Sequence, residues 1–186
     1  MNRFVVGMIA SLVVVGPSTA IPLSALGAVA ALAVAQSGSE PRTGAARVSD
    51  NPNRLYQLRE LEVVTLKFRD RSIKAWVMDT IPKRMEGMMF LRDADVPDDH
   101  GMIFVFPEPE PLSFWMRNTL IDLDIAYIDE RGRTLNVARM KALDETGVPS
   151  AGRAKYALEM KAGAFRRLGI QAGTVFQIPS TVRARN

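Results

Sequence analysis

The chain has no cysteine and a single histidine, His100. Without cysteine it forms no disulfide, no thiolate metal site, no iron–sulfur cluster and no cysteine nucleophile, and it carries no lipidated N-terminal cysteine. One histidine cannot build a multi-histidine zinc or iron centre within one chain, and it leaves one candidate base for a Ser-His-Asp triad. No P-loop, G-x-G-x-x-G, H-E-x-x-H or G-x-S-x-G motif occurs, so no cofactor is expected. Charge of one sign is also scarce: 24 basic against 20 acidic residues leave a net +4, spread along 186 residues. That is no basic patch, and no nucleic-acid partner is expected.

What is present divides the chain. After Arg3 no charged residue appears until Glu40, and residues 4–35 are mostly apolar. A basic start followed by an apolar run matches a secretory signal. Ser18-Thr19-Ala20 and Ala33-Val34-Ala35 are small-residue cleavage patterns. The run also reaches the length of about 20 apolar residues that a membrane anchor needs. Residues 1–35 are therefore read as signal peptide or anchor, with the remainder exported to the periplasm or facing outward from the cytoplasmic membrane. Contact with the membrane is expected only through that segment. Residues 36–58 are polar and rich in Ser, Gly, Pro, Arg and Asn, and read as a linker. The folded domain is expected at 59–179, with a flexible tail at 180–186.

Within the domain, β signals dominate. Glu62–Phe68, Ser72–Met78, Gly101–Phe106, Leu112–Met116, Ile121–Asp129, Thr134–Met140, Lys155–Lys161 and Thr174–Ile178 read as strands, about eight in all. Glu130-Arg131-Gly132 is the turn of a hairpin. Thr80 and Pro82 open a short helix expected to reach about Phe90, and Ala164–Leu168 forms another before Gly169. Short strands with two small helices predict a mainly β domain, an antiparallel sandwich or barrel.

RMEGMMF (84–90), HGMIFVFPEPEPLSFWMRNTLIDLDIAYIDERGR (100–133), KYALEM (155–160) and AGAFRRLGIQAGTVF (162–176) together resemble the domain of unknown function 192 family of small, often exported prokaryotic proteins. The resemblance implies a compact, jelly-roll-like β-sandwich and supplies no established activity. The family often has Pro where Asp122 stands here, and the stretch from Phe90 to His100 is slightly long.

The residues that could carry chemistry are few. In FWMRNT, strand alternation puts Trp115 and Arg117 on one face, where an aromatic plane and a guanidinium fork could recognise a ring-bearing or anionic ligand. Asn118 and Thr119 add donors and acceptors. The structural reading has Trp115 filling the core and Arg117 packing over an edge. Asp122 and Asp124 share a strand face and could act as a carboxylate pair, or serve as backbone acceptors and an ion-pair partner for Arg117 or Arg153. Glu159 alternates with Leu158 and could meet Arg117 across strands, or face solvent. Met85, Met88 and Met89 fall at helical spacing; with Met102, Met116 and His100 they could hold Cu(I), or fill the core.

A non-catalytic binding or accessory module of the cell envelope follows first from this inventory. Its site is expected where Trp115, Arg117, Asn118, Asp124 and Glu159 gather on one side of the sandwich. A small envelope ligand or glycan is the expected partner. A carboxylate-dependent glycan hydrolase and a Met-rich copper protein are the alternatives.

Overall fold

The computed structural model describes residues 50–185. The segment expected as signal or anchor, and most of the polar stretch after it, lie outside the described residues.

Alternation sets the first hairpin. In β1 (Val63–Phe68) Val64, Leu66 and Phe68 point inward and their neighbours outward. Arg69 and Asp70 turn the chain, Arg69 in the left-handed region at φ 51°, and β2 (Arg71–Met78) returns antiparallel with Phe68 opposite Arg71. Thr80 then caps α1 (Ile81–Glu86) by accepting from the Lys83 amide, with Pro82 in its first turn. This helix crosses back so that β3 (His100–Phe114) runs parallel to β2. The chain continues through β4 (Leu123–Ile128), β5 (Thr134–Met140), β6 (Val148–Lys161) and α2 (Ala164–Leu168). The result is one six-stranded mixed sheet in the order β1-β2-β3-β6-β4-β5.

The domain is mainly β, as expected, but the sheet is open and mixed rather than a closed barrel, and it has six strands rather than about eight. Two expectations account for the count. Gly101–Phe106 and the start of Leu112–Met116, expected as two strands, are one: β3 runs on through the intervening PEPEP stretch and ends at Phe114. Its prolines cannot donate to a ladder, and the pairing with β6 shifts register between Val105 and Glu110 and again between Pro111 and Ser113. Thr174–Ile178 makes only isolated bridges, Lys67 with Gln177 and Arg133 with Val175. The first helix also stops early, because Gly87 takes a positive φ of 49° and its amide closes on the Lys83 carbonyl.

Both faces of the sheet are covered, which is why all six residues of β4 are buried. One face, with Met102, Phe104, Ile125, Tyr127 and Ala157, packs under Leu58, Leu61, Met88, Leu91 and Met116. The other, with Val77, Ile103, Ala126, Leu158 and Met160, packs against Ala164, Phe165, Ile170, Phe176 and Val182. At the strand contact between β3 and β6, a Cβ on Gly101 would lie 2.6 Å from the Glu159 carbonyl oxygen, so only glycine allows the two strands to pair there.

The domain also extends past both expected edges. Leu58 is buried, and Arg54 is held by Glu86 and by the carbonyls of Tyr56, Gly87 and Met89. These contacts tie the end of the supposed linker onto α1. In the supposed tail, Val182 is buried and Arg185 pairs with Asp79 at 2.9 Å and with Glu62 at 3.1 Å.

Candidate ligand cavity between the first helix and the sheet

The register of the sheet decides where Glu159 goes. It stands opposite Met102 on β3 and Ile125 on β4, so its side chain shares the face of Met102, Phe104 and Ile125. Over that face lies α1, and Gly87 turns the chain so that Met88 and Met89 come back across the sheet. The gap left between them is a cavity of about 220 Å3. Phe104, Phe106, Phe114 and Trp115 supply its aromatic wall; Ile81, Arg84, Met85, Met88 and Met89 supply the helix side. Glu159 opens into it while remaining only 4% exposed.

The Glu159 carboxyl is in an unusual state. Among the described residues no side chain forms an ion pair with it, and burial alone pushes its pKa up from 4.5 to about 8. Near neutral pH it is held mainly as the neutral acid. Tyr127, across the strand contact, has its hydroxyl pushed well above the ordinary tyrosine range, by burial first and by Glu159 second. That hydroxyl donates to the Val148 carbonyl.

Two other charged groups reach the cavity wall, and both are engaged. Glu86 accepts from the amides of Leu55 (2.5 Å) and Tyr56 (3.1 Å) and pairs with Arg54 at 3.3 Å. Arg84 lies with its guanidinium 5.1 Å from the centre of the Phe106 ring and donates to the carbonyls of Val105 (2.9 Å) and Asp79 (3.2 Å). Burial lowers its pKa from the ordinary arginine value, opposed by Glu110 and Asp79.

The expected site residues divide into three groups. Trp115 and Glu159 line the same cavity, with Trp115 42% exposed at its mouth. Arg117 and Asn118 are exposed beside it. Arg117 lies over the Trp115 ring at 5.6 Å, and Asn118, at φ 55°, accepts from the Phe90 amide on its carbonyl. Asp124 is not there. It pairs with Met160 in register, on the opposite face of the sheet, where Arg139 donates to it at 2.6 Å and the Phe165 amide at 3.1 Å. Its partner is therefore Arg139, directly across the β4–β5 hairpin, and not Arg117 or Arg153. Nor is Glu159 paired with Arg117. β3 ends at Phe114, so alternation no longer separates Trp115 from its neighbour, and both line the cavity.

Asp122 is likewise committed, accepting from the Ala142 amide at 2.8 Å. His100 stacks on Trp76 and contacts Asp99 through Nδ1 at 2.7 Å. Of the methionines, Met102 and Met116 are core, while Met85, Met88 and Met89 reach the cavity wall. Sequence reasoning missed Arg84 and Glu86 as wall residues. Their position on either side of Met85 on a capped helix was the available signal. Among the described residues no group of His, Asp and Glu is placed to hold a metal ion, and no helix is long and apolar enough to cross a membrane.

Comparison with known proteins agrees with this architecture. A crystal structure of a protein of unknown function from Novosphingobium aromaticivorans DSM 12444 is 30% identical, with a TM-score of 0.61, and the match covers 67% of this chain and 91% of that one. A Sinorhizobium meliloti 1021 protein, provisionally named a transcription regulator, is 27% identical with a TM-score of 0.59, over 63% of this chain and 94% of that one. No curated protein matches. The profile of the family DUF192, described as "Uncharacterized ACR, COG1430", matches residues 63–178, more than half of the sequence, and the chain belongs to that family.

Proposed function

We propose that this protein is a non-catalytic binding module of the cell envelope, whose site is the cavity between α1 and the sheet. The observation that carries the reading is the Glu159 carboxyl, buried in an apolar aromatic cavity without an ion-pair partner. A buried polar group left unmatched by the protein is costly, and a ligand supplying the missing partner recovers that cost on binding. Trp115 at the mouth offers a plane for stacking. The two-carboxylate chemistry of a glycan hydrolase finds less support. Glu86, the second carboxylate in the wall, has its oxygens occupied by Arg54 and two backbone amides, which leaves one free acid. The copper reading keeps one supporting observation, the three methionines in the same wall.

A panel of small aromatic and polar fragments, followed by amide shifts in NMR, tests the binding reading. Binders should move the signals of Gly87, Trp115 and Glu159 together. Fragments that bind only elsewhere would sink it, and tight Cu(I) binding at the methionines would favour the thioether alternative. The envelope location rests on the uncharged run from Phe4 to Ala35 behind Arg3. Residues 1–60 fused to an export-dependent reporter should give activity outside the cytoplasmic membrane, and activity confined to the cytoplasm would contradict it.

A further inference from the structure

We infer that the cavity takes a small free organic ammonium ion, whose positive charge meets the Glu159 carboxylate while its apolar groups lie against the Phe104, Phe114 and Trp115 rings. This rests on the binding reading above and specifies its ligand class.

Charge complementarity carries the inference. Of the ionisable groups lining the cavity, the one without an ion-pair or hydrogen-bond partner among the described residues is an acid, so a cation is the ligand whose arrival makes its ionised form favourable. The surrounding wall is aromatic and thioether, with Phe104 and Phe114 edge to face at 4.9 Å. Such a wall stabilises a weakly hydrated organic cation through ring faces and excludes a small, strongly hydrated ion. Arg84 shows that these rings accept a cation, since its guanidinium already lies over Phe106. It is fixed there by the Val105 and Asp79 carbonyls and forms no ion pair with Glu159. The volume of about 220 Å3 suits a small molecule with a branched or ring substituent.

Binding must then follow the ionisation of Glu159. The other titratable groups lining the cavity are Arg84 and Glu86 from α1; Tyr127 of β4 lies near Glu159 without lining it. Arg84 stays cationic, Glu86 is paired with Arg54, and the Tyr127 hydroxyl is pushed upward, away from neutrality. A ligand of fixed positive charge should therefore gain about tenfold in affinity for each unit that pH rises up to the Glu159 midpoint, and level off above it.

Three matched probes test this by calorimetry on the whole chain: choline, its neutral carbon analogue 3,3-dimethylbutanol, and the anion 3,3-dimethylbutanoate. Choline should bind at least about tenfold more tightly than either at pH 8.5. Its affinity should rise about tenfold between pH 6 and 7, with release of a proton. Glu159→Gln should abolish both the preference and the pH slope. Trp115→Ala, at the exposed mouth, should weaken choline while keeping the slope. Equal or tighter binding of the alcohol or the carboxylate would overturn the inference, as would choline binding without pH dependence. If neutral fragments shift the cavity signals and choline does not, the ligand class is wrong and the cavity reading stands. If nothing shifts them, both fall.

Discussion

Glu159→Gln is expected to make the protein more stable at pH 8.5 and to leave it nearly unchanged at pH 5. The folded chain keeps the Glu159 proton until about pH 8, whereas the unfolded chain releases it near the ordinary 4.5. Between those values the folded state binds more protons, so its stability falls as pH rises, by up to about 1.4 kcal/mol per unit. The contribution of this group is full below the unfolded value and gone once pH passes the folded one. Glutamine has nearly the shape of the neutral acid and never ionises, so the variant escapes that loss. Urea unfolding of the two proteins across this range should give curves that meet at low pH and part by roughly 3–5 kcal/mol at high pH. Parallel curves would mean that the folded chain stabilises the Glu159 carboxylate after all.

The second large effect sits at the other end of the cavity. Arg54→Met should destabilise the fold by about 3–5 kcal/mol, because it leaves Glu86 buried and charged without its cation. Arg54 and Glu86 are 6% and 8% exposed, and Arg54 also donates to the carbonyls of Tyr56, Gly87 and Met89. Its loss therefore releases the segment before β1 and the chain reversal after α1 together. A double variant, Arg54→Met with Glu86→Leu, should recover only part of the loss, since the amides of Leu55 and Tyr56 would then lack their acceptor. A single-variant loss under about 1 kcal/mol in urea would show that the helix is held by apolar packing alone.

Local pattern carried much of this architecture. Alternation in Glu62–Phe68 and Ser72–Met78, the Thr80 cap and the stop at Gly169 all depend on neighbours within a few residues, and the structure keeps each of them. The hairpin around Gly132 is equally local, but an irregularity between Tyr127 and Ile128 shifts its register by one residue, so that Asp124 meets Arg139 and not the Ala138 that counting outward from Ile128 and Thr134 gives. What stayed hidden depends on long-range pairing. The parallel contact of β2 with β3 arises only because α1 crosses over, and a proline-rich segment joins a sheet only where bulges absorb its missing donors. For the site, alternation separated Glu159 from Leu158, and Trp115 stood out as a large aromatic in a polar setting. That Glu159 would meet no cation could not be read from spacing, because it follows from which strands flank β6. Arg54 looked like linker for the same reason: its partner is 32 positions away on α1.

The state of the Glu159 carboxyl is the point on which the cavity, its ligand class and the pH dependence of stability all turn. A carbon-13 NMR titration of side-chain carboxyls, with Glu159→Gln identifying the signal, measures it directly in the free protein. The account predicts a midpoint near pH 8, moving down when choline is added. A midpoint in the ordinary glutamate range, unmoved by choline, would contradict it.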